Sequence, residues 1–129
     1  MNSLTITLPH TPRVLSPNAS TPLTRGGAIV ANKKKVSAKR RARHMAWAEA
    51  YKVLNGRKFL PSFYTVRWFY KGPEPDDDNV LSRCKYYKDG ACAAMGIDDK
   101  VLKCRGIDIV HDLSRAGKVE IVFEKGEGK

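Results

Sequence analysis

The chain predicts an α/β (α+β) fold in one small domain, with helices packed on a mixed sheet. Three observations carry this. Leu4-Thr5-Ile6-Thr7-Leu8 alternates strictly between apolar and polar residues, and Phe63 to Lys71 is a run of aromatic and β-branched residues, so both read as strands. Two other segments carry apolar residues at helical spacing. The 129 residues, 42% of them hydrophobic, suffice for one modest core, which a dimer would enlarge by sharing surface. The expected order is β-α-β-α-β-β over a single domain spanning 1–129.

The first strand ends at Pro9. Residues 9–32 hold Pro12, Pro17, Pro22, Gly26 and Gly27, so a long basic loop is expected over 9–35, of the length that is usually functional or disordered. Lys33-Lys34-Lys35 opens a basic helix expected at about Ser37 to Leu54, with Ser37 as N-cap and Gly56 just past its end. Trp47, Tyr51 and Leu54 form its apolar stripe. The strand at Phe63 ends before Gly72-Pro73-Glu74-Pro75. A second helix is expected from Asp77 or Asp78 to Met95, closed by Gly96, with Asp98 and Asp99 in the turn that follows. Residues 104–111 and 118–124 read as strands joined through a hairpin turn at Asp112 to Gly117, and 126–129 as a flexible tail.

Charge narrows the function. The formal net charge is +11, and it is uneven: residues 1–71 contain fourteen Lys/Arg and one acid, Glu49, whereas residues 72–129 contain ten Lys/Arg and twelve acids. Such an excess favours a polyanion, so the first half reads as a nucleic-acid footprint. Lys33, Lys34, Lys35, Lys39, Arg40, Arg41 and Arg43 are its DNA-contact candidates, with Asn18 as a backbone contact. Phosphate contacts of this kind carry affinity without sequence readout. Trp68, Phe69 and Tyr70 are expected mostly in the core. No apolar stretch reaches about 18 residues, so no membrane span is expected. The N-terminus lacks the pattern of a secretory signal, and three cysteines without CxxC spacing suggest reduced thiols and a cytoplasmic location rather than structural zinc. His10, His44 and His111 have no metal-ligand spacing.

Against this charge, Asp76, Asp77, Asp78 and Asn79 form a dense acidic knot, and Asp98 and Asp99 follow within one helix length. Helical phase sorts them. With Asp78 as origin, Ser82, Lys85 and Asp89 fall within about 40° on one face, while Val80, Cys84, Tyr87, Ala91 and Met95 fall at about 180–260°. Carboxylates amid positive charge repel a polyanion unless a cation neutralises them. Mg²⁺ takes hard oxygen ligands and keeps several waters, so two or three carboxylates suffice. Such an ion activates water and polarises a phosphate, and a nearby lysine stabilises developing charge. Asp76 and Asp78 have the spacing to share an ion; Asp99 must be brought to them by the fold.

The stretch Asp76-Asp77-Asp78-Asn79-Val80-Leu81, then Lys85, Asp89-Gly90 and Gly96-Ile97-Asp98-Asp99-Lys100, resembles the RusA family of Holliday junction endonucleases, especially phage and prophage members. Ser16-Pro17-Asn18 is similar to that family's loop after the first strand, and the element order fits over nearly the whole chain. The specific part is residues 76–100. The resemblance implies a small homodimer, in a bacterial or phage-infected cell, that resolves four-way junctions by paired Mg²⁺-dependent nicks in recombination and repair, Mn²⁺ being an expected substitute. It carries the metal-binding acids onto Asp76, Asp78 and Asp99 and the catalytic lysine onto Lys85, here seven residues after Asp78. Asp98 is the adjacent supporting acid, and Asp89 would hold Lys85 or an ion. Two alternatives stand beside this reading: a nuclease for other branched DNA, and a non-catalytic basic DNA-binding protein whose acids cap helices.

Overall fold

The computed structural model describes residues 2–12, 15 and 25–126, with Asp77 and Asp78 among those described by backbone alone. Asn18, the Ser16-Pro17-Asn18 segment and residues 127–129 of the tail lie outside the described residues. In chain order the elements are β1 (Ser3–Pro9), α1 (Arg25–Leu54), β2 (Phe63–Tyr70), α2 (Asp77–Met95), a short 3-10 turn (Asp99–Val101), β3 (Lys103–His111) and β4 (Lys118–Glu124). The order β-α-β-α-β-β and the α+β class are those read from the sequence.

The sheet has the order β1-β4-β2-β3. β4 pairs antiparallel with both β1 and β2, and β2 pairs parallel with β3, so the sheet is mixed. The two parallel strands are joined through α2, because a parallel pair needs a crossover long enough to return to the starting edge. Alternation along the strands sends Leu4, Ile6 and Leu8, then Val119, Ile121 and Phe123, then Tyr64, Val66 and Trp68 to one buried face. Register places Ile121 opposite both Ile6 and Val66, which makes this row the centre of the core. Both helices contribute to that same core. α2 contributes Val80, Cys84, Tyr87, Ala91 and Met95, the face that helical phase predicts.

Three features differ from expectation. α1 begins at Arg25, so residues 25–36 are helical and Ser37 lies inside the helix rather than capping it. The glycine pair reads as loop, but the alanines and lysines that follow it are good helix formers, and one long helix absorbs both. The face of α1 that meets the core is also not the aromatic one. Ala42, Ala46, Ala50 and Leu54 are buried, whereas Trp47 and Tyr51 are exposed. Finally, the segment 112–117 is not a hairpin turn, because β2 lies between β3 and β4. It arches over the end of β2: Asp112 N–H donates to the Tyr70 carbonyl at 3.2 Å and Gly117 N–H to the Phe69 carbonyl at 3.2 Å. Its local turn chemistry, with Asp112 Oδ1 accepting from Ser114 N–H at 3.0 Å, specifies a reversal but not which strand lies alongside.

β3 is the outer strand beside β2, and none of its residues is fully buried. Its register shifts between Tyr64 and Thr65, leaving Arg105 without an opposite residue. Arg105 instead lies over the Phe63 ring, 4.4 Å from its centroid, and reaches Glu124 of β4 at 3.3 Å.

α1 and α2 pack directly on each other, and Gly90 of α2 lies against the backbone of α1. A Cβ built on Gly90 would lie 2.0 Å from the Arg43 carbonyl oxygen. Backbone cannot yield as a flexible side chain does, so the absent side chain sets the interhelical distance. Gly90→Ala is expected to lower stability by about 3 kcal/mol or more, with a reduced urea midpoint and an unchanged denaturant slope.

Candidate acidic site and its basic border

α2 presents to solvent the side that phase predicts: Ser82 and Lys85 are exposed and Asp89 is half-buried. The helix ends at Gly96, whose φ of 71° lets the chain turn back, with Gly96 N–H donating to Ala93 O at 3.2 Å and Ile97 N–H to Cys92 O at 3.0 Å. That turn lays Asp98 and Asp99 against the last turns of α2. The result is a cleft of about 370 Å³ lined by Lys85, Asp89, Cys92, Ile97, Asp98 and Asp99. Asp99 Oδ2 lies 4.0 Å from Lys88 Nζ, and Asp98 Oδ1 accepts the Lys100 N–H at 3.0 Å.

Three carboxylates, Asp89, Asp98 and Asp99, line this cleft. Burial, and then the charge of Asp99, push the Asp89 carboxyl above its ordinary value, while Lys88, Arg43 and Lys85 pull it back. The Cys92 thiol is pushed up to about 12 by burial and by Asp99, so it stays protonated at neutral pH and is no nucleophile. Cys84, Cys92 and Cys104 are all free thiols.

The cleft borders the basic helix. Lys39, Arg43 and Lys85 converge on the ring of Tyr86, at 5.2, 5.0 and 5.9 Å from its centroid. This joins α1 to the acidic face of α2. Lys33, Lys34, Lys35, Arg40, Arg41 and Arg43 are exposed and Lys39 is half-buried, all on α1. Lys85 also lines a second cavity, of about 240 Å³, against Tyr64, Val66 and Lys88.

The structure thus brings together Lys85, Asp89, Asp98 and Asp99. It leaves Asp76 apart: this residue is the N-cap of α2, exposed, and its side chain makes no capping hydrogen bond. Asp78 occupies the first turn of α2. Eleven residues separate it from Asp89, about 16 Å along the helix axis. A straight helix therefore keeps the Asp76–Asp78 end away from the Asp99 end within one protomer. Among the described residues, no group of three His, Cys, Asp or Glu side chains could hold a metal ion. The cleft's own donors are hard carboxylate oxygens, the ligand type that Mg²⁺ takes.

Trp68 and Phe69 are buried and Tyr70 half-buried, in keeping with a core role. Sequence reasoning missed the network around Trp68. His10 stacks on it at 3.8 Å between centroids, and Arg83 lies over it at 4.9 Å. Arg83 donates to Thr11 Oγ1 at 3.2 Å and to the Thr11 carbonyl, while Tyr87 OH donates to the Pro9 carbonyl at 2.7 Å. These contacts tie the end of β1 to α2. Burial holds His10 below its ordinary pKa.

Because folding raises the Asp89 pKa, the folded state loses stability as pH climbs out of the ordinary carboxylate range and Asp89 ionises. Asp89→Asn is therefore expected to raise the thermal midpoint at pH 7. That advantage should vanish in strong acid, where both proteins are uncharged at this position; melting curves from pH 3 to 8 check it.

No helix among the described residues is long and apolar enough to cross a membrane. No protein-family model matches the chain. It is 36% identical over 119 residues to an uncharacterized protein of Xylella fastidiosa (strain Temecula1 / ATCC 700964), an alignment covering 92% of this chain and 74% of the relative. The acidic cleft, the basic helix and the crossing that joins them thus sit in a chain that belongs to the same family as this Xylella fastidiosa protein.

Proposed function

We propose that the protein is a Mg²⁺-dependent, structure-selective DNA endonuclease that nicks four-way junctions, as the likeness of residues 76–100 to RusA enzymes implies. The observation that carries the reading is the border where Lys39, Arg43 and Lys85 converge beside the cleft of Asp89, Asp98 and Asp99. Cations at that border hold and orient a phosphodiester next to carboxylates that would otherwise repel it. Lys85 stabilises charge developing on the phosphate. Asp76, Asp78 and Asp99 would hold the ion, and a bound Mg²⁺ (or Mn²⁺) supplies water activation and phosphate polarisation. The work belongs in the cytoplasm, where junction DNA is found and free thiols stay reduced.

The length of α2 supports a homodimer. Since Asp78 and Asp99 lie toward opposite ends of the helix, a two-fold arrangement that sets the start of one α2 against the end of the other joins them in two equivalent sites. Two sites on opposed strands suit paired nicks.

A second reading, a basic DNA-binding protein without catalysis, is favoured by one observation: Asp98 caps the 3-10 turn and Asp99 pairs with Lys88, so both acids have structural partners.

Cleavage of four-way, three-way and linear DNA, with Mg²⁺ and with EDTA, separates these readings. Asp78→Asn and Asp99→Asn are each expected to bind junctions as well as wild type and to lose about 100-fold or more in nicking, at or beyond the upper end of the loss that a supporting group of a metal site brings. Mixed in equal amounts and allowed to exchange subunits, the two variants should regain about a quarter of the wild-type sites, because half the dimers carry one intact site. No recovery places each site within one protomer. Absence of Mg²⁺-dependent nicking of any branched DNA by wild type ends the enzyme reading.

A further inference from the structure

We propose that the outward face of α1 is a stacking site for the unpaired bases of single-stranded nucleic acid. His44, Trp47 and Tyr51 form a ladder there. The His44 and Trp47 rings lie 6.1 Å apart at 19°, and the Trp47 and Tyr51 rings 5.1 Å apart at 17°. Trp47 is 39% and Tyr51 62% exposed. Helix α1 meets the core through Ala42, Ala46 and Ala50, and the ladder points away from that face. Large aromatic rings left in water beside a core built from alanine are not explained by folding.

Charge identifies the occupant. Continuing the ladder toward the helix start, in steps of three and four residues, gives Arg40, Ser37 and Lys33. From Lys33 to Tyr51 this stripe runs about 27 Å. It offers cations for a phosphate backbone and near-parallel rings for bases, the two elements that bind single strands without sequence readout. The inference rests on a nucleic-acid partner but not on catalysis.

The test uses the full chain, a sixteen-residue oligothymidylate, a blunt duplex of equal length and inorganic polyphosphate. Trp68 is 2% exposed, so quenching of tryptophan emission reports Trp47. The single strand should quench emission; polyphosphate, which has charge but no bases, should bind without quenching. Tyr51→Ala and Trp47→Ala should weaken the single strand about five-fold or more, with Tyr51→Phe restoring it and polyphosphate binding unchanged. Equal loss of affinity for all three ligands, or no loss for any, overturns the proposal. So does a sedimentation shift from dimer to monomer in Tyr51→Ala, which would assign the face to a second copy. All arms run in EDTA, so failed cleavage and failed stacking remain separate results.

Discussion

The crossing of α1 and α2 at Gly90 sets the rest of the molecule. With no side chain there, the Arg43 carbonyl of α1 can come against the α2 backbone. That approach selects small residues along the buried side of α1, and Ala42, Ala46 and Ala50 fill it. It also fixes the rotation of α1. Arg43 and Lys39 are carried to Tyr86 and hence to Lys85, while Trp47 and Tyr51 are turned out to water. One missing methyl group thus places both the basic border of the acidic cleft and the aromatic ladder.

The cleft itself is held by opposing terms. Burial, and then the charge of Asp99, raise the Asp89 carboxyl, and Lys88, Arg43 and Lys85 oppose them. Ion pairs this exposed contribute little to stability.

What was legible in the sequence follows physical contrast. The strands and α2 were readable because their apolar residues stand out against polar neighbours, so the phase of Val80, Cys84, Tyr87, Ala91 and Met95 could be assigned directly. The rotation of α1 was not. Its buried stripe is alanine, which differs little from its surroundings in hydropathy, while its exposed stripe is aromatic and mimics a core. The early start of α1 was hidden by a glycine pair that the length of the helix overrides. The neighbour of β4 was hidden because turn residues report a change of direction and say nothing of a third strand between. The joining of Asp89 with Asp98 and Asp99 depended on Gly96, whose role as a stop was legible, whereas the distance from Asp76 needed only the rise per residue to be applied.

β3 has a consequence for how the molecule opens. It is paired on one side alone, buries no residue completely, and is bound to the sheet partly through a bulge and the reach of Arg105 to Glu124. Lys103 and Arg105 on this rim blunt it against adding another strand, as charge does on exposed sheet edges. The same features make it the part of the sheet whose amides exchange first, ahead of β4 at the centre. Its first residues follow Leu102, so peeling β3 would slacken the turn that holds Asp98 and Asp99. The acidic cleft therefore shares its lifetime with the weakest strand of the sheet rather than with the core beneath it.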